Sequence, residues 1–160
     1  MPSERLSSGL SGVAGEYFVA GELSRLGYIA SITLRNTRGI DILASNIDAT
    51  RSVGIQVKTR QDTGTSWMLT RKAEEQLEGD VADNLFYVFV SLNGGEAPTF
   101  HVVPRKVVAD YVRTNHQRWL DTPGMHGQLH RDNAVRTFRD TEGHFRNAWH
   151  TLGLDIGVVP

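Results

Sequence analysis

Cysteine is absent from the chain, so disulfides, thiolate catalysis and cysteine-bound zinc are excluded, while sites built from histidine and carboxylate remain open. No run approaches the roughly 20 consecutive apolar residues that a membrane helix needs, and the first twelve residues lack the basic-then-apolar profile of a signal peptide. The expectation is a soluble, cytoplasmic protein without a membrane partner. Charge of one sign is also missing: the net charge is -1, with nine Lys/Arg against twelve Asp/Glu in residues 1–100 and eight against six in 101–160. That mild positive tilt of the last sixty residues, mostly Arg, is explained by a solvated mixed surface at least as well as by a phosphate-binding face.

Other absences narrow the chemistry. Gly94-Gly95 has no Lys-Ser/Thr pair behind it, so nucleotide-phosphate loops have no support, and nothing resembles a nucleophile elbow. His126 and His130 have the spacing of a helical metal pair, yet Pro123, Gly124 and Gly127 argue against a helix there. Trp67, Trp119 and Trp149 could stack on bases, but packing is the commoner use of large aromatics.

What is present fits a single domain over residues 1–160, with 39% hydrophobic and 22% charged residues and no internal repeat. Leu10, Val13, Ala14, Tyr17, Phe18 and Gly21 recur at helical spacing and predict a helix over 8–26, stopped by Gly27. Strands are expected at 28–34, 39–45 and 52–59, then a short strand or edge at 67–70 and a short helix over 71–78. The most apolar run, 84–92, reads as a central strand buried on both faces, with 99–103 as its partner. Pro104 opens a helix to about 120; beyond it, short helices are expected near 133–138 and 144–152. The core motif thus spans about 8–103, followed by a C-terminal helical extension over about 104–160.

The second and third strands form a hairpin. Closed symmetrically about Asp48 and Ala49, its paired residues sum to 97, which sets Asp41 opposite Gln56, on the scale at which two side chains share an ion. Alternation puts Ile40, Ile42 and Ala44 on one face, Asp41 and Leu43 on the other, and turns Gln56 and Lys58 the same way. On the first helix Glu16 has only Gly12, Val13, Val19 and Ala20 at three- and four-residue spacing, so its carboxylate is expected to be shielded.

Gly15-Glu16 on a helix, an acid in Gly39-Ile40-Asp41-Ile42-Leu43-Ala44 and the Gln56-Val57-Lys58 spacing in the next strand resemble the PD-(D/E)xK nuclease superfamily over about residues 15–60. Gln56 departs from the usual Asp or Glu and resembles the Q-x-K form of homing and repair-type members. The resemblance implies an α/β fold, a central mixed β-sheet flanked by helices with a restriction-endonuclease-like core. It also implies a metal-dependent DNA endonuclease or junction-resolving phosphodiesterase using Mg²⁺ or Mn²⁺, with a homodimer expected where both strands are cut. Asp41 would be the principal metal ligand, Gln56 and the Val57 carbonyl would add neutral oxygens, and Glu16 a direct or water-bridged contact. Lys58 would orient the attacking water and stabilise developing charge. Arg60, Arg71 and Lys72 after the hairpin, and Arg35 and Arg38 before Asp41, are candidates for phosphate contacts, which position DNA without specifying sequence. Two alternatives stand beside the enzyme: a catalytically inactive nuclease-like module binding nucleic acid or a protein partner, and an Asp41–Lys58 pair that is an ordinary cross-strand ion pair.

Overall fold

The computed structural model describes residues 4–34, 39–77 and 79–155; Arg35 and Arg38 lie outside the described residues. Helix α1 (Ser8–Arg25) starts where the Ser7 hydroxyl accepts from the Leu10 N–H, and the chain leaves it through Gly27 at φ +93. Three antiparallel strands follow, β1 (Ile29–Ile32), β2 (Ile42–Ser45) and β3 (Ser52–Arg60). Next come β4 (Ser66–Thr70), a 3-10 turn at Arg71–Glu74, α2 (Asp80–Asp83), β5 (Leu85–Ser91), β6 (Thr99–Pro104), α3 (Arg105–Asp121) and β7 (Val135–Arg139), with a 3-10 turn at Trp149–Leu152. Among the described residues no helix is long and apolar enough to cross a membrane.

The main sheet has the order β1-β2-β3-β5-β6, with β3 and β5 parallel and every other pair antiparallel, so the expected mixed α/β sheet is the one found. Each face carries its own core. Val53, Ile55 and Val57 of β3 join Ile42, Val88, Val90 and Val102 beneath Val19 and Leu23 of α1 and Trp149, Leu152 and Leu154. Tyr87, Phe89 and Val103 on the other face meet Val108 and Val112 of α3 and the inner side of a two-stranded ribbon, β4 with β7. In that ribbon Phe138 stacks on Phe89 with centroids 4.7 Å apart, and buried Trp67 donates to the Val90 carbonyl at 3.0 Å, so this tryptophan packs rather than facing solvent.

Two expectations are corrected. The segment near 133–138 is strand, because Arg136 and Phe138 turn inward while Val135, Thr137 and Arg139 turn outward, a period of two that pairs with β4 and leaves α3 as the one long helix of the described C-terminal part. On α1 the buried stripe is Ser11, Gly15, Val19 and Leu23, whereas Tyr17 is 66% exposed and Leu10 and Phe18 are also outside. In the first half of α1 small residues face the sheet because the helix lies close to it: a Cβ on Gly15 would stand 1.8 Å from the Thr59 hydroxyl.

The end of β7 is tied to β6 by a buried pair. His101 Nδ1 donates to Asp140 Oδ2 at 2.7 Å, and the same carboxylate accepts from the His144 and Phe145 N–H groups at 2.9 Å each. Burial pushes the Asp140 carboxyl up, but the bonds from His101 and the two N–H groups, with attraction to His101, outweigh it and hold the group below its ordinary 3.8. A depressed carboxyl stabilises in full above its unfolded value and loses that contribution as pH falls through the folded one. Acidification below about pH 4 should therefore weaken the wild type more steeply than Asp140→Asn, and Asp140→Ala should cost about 3–5 kcal/mol at neutral pH by urea unfolding.

Candidate active site

The hairpin register follows the symmetric closure from Ser45–Ser52 to Ile42–Ile55 and then stops. At Asp41 the regular pairing gives way to a shift of one residue. Its N–H donates to the Ile55 carbonyl at 2.8 Å and its carbonyl accepts from the Thr33 N–H at 2.9 Å, so the backbone is held from both sides. Its carboxylate Oδ2 accepts from the Val57 N–H at 2.7 Å, supplying the partner that β2 no longer offers. Asp41 thus lies outside the paired ladder with its carboxylate against the β3 backbone, where continued pairing would have set it opposite Gln56.

The same shift reverses Ile40. Instead of sharing a face with Ile42 and Ala44, it reaches across β3, where a Cβ on Gly54 would stand 3.2 Å from Ile40 Cδ1 and 2.9 Å from Leu85 Cδ2. Gly54 leaves the room that these two side chains fill. Gly39, at φ +66, turns the chain into this segment and brings the Gln56 carboxamide alongside, its Oε1 3.6 Å from the place of a Gly39 Cβ.

Gln56 and Lys58 open into a cleft of about 920 Å³ that Lys72, Glu75, Tyr87 and Arg105 also line, with Ile40, Leu69, Leu77 and Leu85 among its apolar walls. Among the described residues, three cations therefore face one carboxylate across partly apolar ground. Arg105 stands 3.7 Å from Glu75 and begins α3, whose first turn holds no acid, so it sits at the positive end of the helix dipole. Burial raises the Tyr87 hydroxyl against the lowering influence of Arg105, which keeps a neutral phenol in the cleft wall.

The sequence candidates divide accordingly. Gln56, Lys58 and Lys72 share the cleft, and Asp41 and Val57 are joined beside it. Half-buried Glu16 follows the glycine packed on Thr59, one residue past Lys58. Arg60 bends onto its own turn, donating to the carbonyls of Asp62 and Ser66, and Arg71 turns to Asp132 at 2.8 Å. No ion pair links Asp41 to Lys58 among the described residues, so the simple cross-strand pair does not form. Arg105, Glu75 and Tyr87 join the cleft from outside the helix-and-hairpin motif, and sequence reasoning misses them. For Arg105 a signal exists: a cation just after a helix-opening proline is placed against the dipole.

As a donor set, Asp41, Gln56 and nearby backbone carbonyls offer hard oxygens and one full carboxylate. No group of three or more His, Asp or Glu suited to a metal exists among the described residues. Such a set fits a hard divalent ion that keeps several waters and does not fit a nitrogen-ligated zinc. The packing that positions α1 here is testable. Gly15→Ala should cost about 1–3 kcal/mol in urea unfolding with an unchanged denaturant slope, because the new methyl meets the stiff, β-branched Thr59.

No protein-family model and no curated protein matches the chain. Among solved structures, it is similar to a bacterial homing endonuclease, I-Ssp6803I, at 14% identity and a TM-score of 0.55, over 96% of this chain and 95% of the other. A Holliday junction resolvase, Hjc of Archaeoglobus fulgidus, matches at 15% identity and a TM-score of 0.44, over 81% and 84%. The chain therefore shares its fold with a homing endonuclease along nearly its full length.

Proposed function

We propose that the protein is a phosphodiester hydrolase acting on DNA in the cytoplasm, an endonuclease or junction-resolving enzyme that depends on Mg²⁺ or Mn²⁺. The observation that carries this reading is the Asp41 carboxylate fastened to the Val57 N–H, between Gln56 and Lys58, beside a cleft that Lys58, Lys72 and Arg105 line. The fold shared with a homing endonuclease agrees with it.

Asp41 would hold the ion, with the Gln56 carboxamide oxygen, the Val57 carbonyl and Glu16, directly or through water, completing the protein's share. The ion, when bound, supplies positive charge beside the phosphate. Lys58 orients the attacking water and faces the negative charge that develops on the phosphate oxygens. Lys72 and Arg105 draw the backbone into the cleft, with Arg35 and Arg38 proposed as further phosphate contacts, while Arg60 and Arg71 are held by the Asp62 and Ser66 carbonyls and by Asp132. Cleavage of both strands would call for a second copy, hence a homodimer. One observation favours the alternative of an inactive nucleic-acid or protein-binding module: Gln56 gives the site a neutral oxygen where a second carboxylate would bind the ion more strongly.

Cleavage assays with divalent-ion titration decide between them. Asp41→Ala should weaken Mn²⁺ binding by about 10–100-fold or more and abolish cleavage. Lys58→Ala should keep ion affinity and lose about 10²–10⁴-fold in rate. Gln56→Glu should tighten the ion. A wild type that cuts neither duplex nor junction DNA over a range of Mg²⁺ and Mn²⁺ would leave the binding module. Lys72→Ala and Arg105→Ala should each lower the salt dependence of DNA binding, by about 0.9 in the log–log slope for each phosphate no longer neutralised.

A further inference from the structure

We propose that the outward face of the β4–β7 ribbon enters the major groove of duplex DNA and contacts base edges there. The substrate class rests on the phosphodiesterase reading above; the ribbon's role is an addition to it.

The inner face of the ribbon is taken up by the core, while the outer face presents Ser66, Met68 and Thr70 paired with Arg139, Thr137 and Val135. Neither strand contains an acid. Met68 is 74% and Val135 46% exposed, placements that gain nothing from water. In a major groove such groups meet thymine methyls, and the threonine, serine and arginine side chains meet the donors and acceptors of base edges. The arginines beside the ribbon are otherwise engaged: Arg136 with Glu74 and Arg71 with Asp132. Arg139 alone of the three has no ion pair or side-chain hydrogen bond among the described residues. Charge and hydrogen-bonding capacity therefore favour DNA over an apolar protein surface.

Dimensions agree. Strands about 4.7–4.9 Å apart make a ribbon suited to a groove about 12 Å wide and too broad for one of about 6 Å. Five residues span about 17 Å, or about five base pairs. Continuity with the cleft is direct, since Leu69 and Thr70 line it together with Lys58 and Lys72. A duplex whose phosphate enters the cleft would lay its groove along the ribbon where β4 ends and β7 begins at this wall. The Phe138–Phe89 stack and the Trp67 bond to Val90 hold the ribbon from beneath, so presenting its face needs little ordering.

The test is selection by the full chain from randomised duplexes without divalent ions, followed by dimethyl sulfate protection of guanine N7 on the enriched sequence. Wild type should select a tract of about five base pairs and protect guanines in it. Thr137→Val, Met68→Ala and Arg139→Lys should each lose about tenfold or more in discrimination, while keeping the far-UV spectrum and, within about threefold, the affinity for unselected duplex. The proposal is overturned if wild type binds DNA but selects no tract, if N7 is unprotected, or if the variants select the same tract. It is equally overturned if they alter only self-association. In each of these cases the phosphodiesterase reading stands, whereas failure of wild type to bind any duplex or junction would remove both.

Discussion

Where two paired strands separate, the backbone donors between them must find other partners, and in this protein that requirement shapes the site. A buried, unpaired N–H costs about 1–3 kcal/mol. The regular ladder ends at Ile42, Asp41 keeps one main-chain bond to Ile55, and the N–H of Val57 would be stranded if the Asp41 carboxylate did not take it. The acid is thereby fixed in the plane of the sheet. Val57 and Thr59 turn toward α1, whereas Gln56 and Lys58 line the cleft on the opposite face of the sheet, so the Asp41–Val57 bond lies between the two layers.

Much of this architecture is written in local pattern. The run of apolar and aromatic residues from Phe86 to Val90 can only be a strand covered on both sides, and the turn-forming residues after Ser45 set the hairpin register as far as Ile42. The departure at Asp41 is hidden, because alternation assumes an unbroken strand and nothing in the residue types marks where one parts. The reversal of Ile40 follows from Gly54, a glycine that reads as a weak spot in a strand and acts as a socket for two side chains from elsewhere.

The face of α1 misleads for a related reason. Hydrophobic spacing identifies the helix, but the residues toward the sheet are chosen by size, since a glycine at position 15 lets the backbone sit where a methyl would collide with Thr59. β7 is obscured by its composition: Val135, Arg136, Thr137, Phe138 and Arg139 alternate in direction, yet the inward Arg136 reads as a surface residue until Glu74 and the carbonyls of Asn133 and Val135 are seen around it. Glu74, 62 residues away, is the long-range partner among these and leaves no mark in a local window.

The ribbon also has consequences for how the chain acquires its shape. β4 and β7 are separated in sequence by β5, β6 and α3, so their pairing closes a long loop and can be completed only after the elements between them have been made. Strands β1 to β3 need no such wait, being joined by short connections. Each strand of the two-stranded ribbon has one partner strand where β3 and β5 have two, so the ribbon's amides should exchange with solvent through local opening before those of β3 and β5.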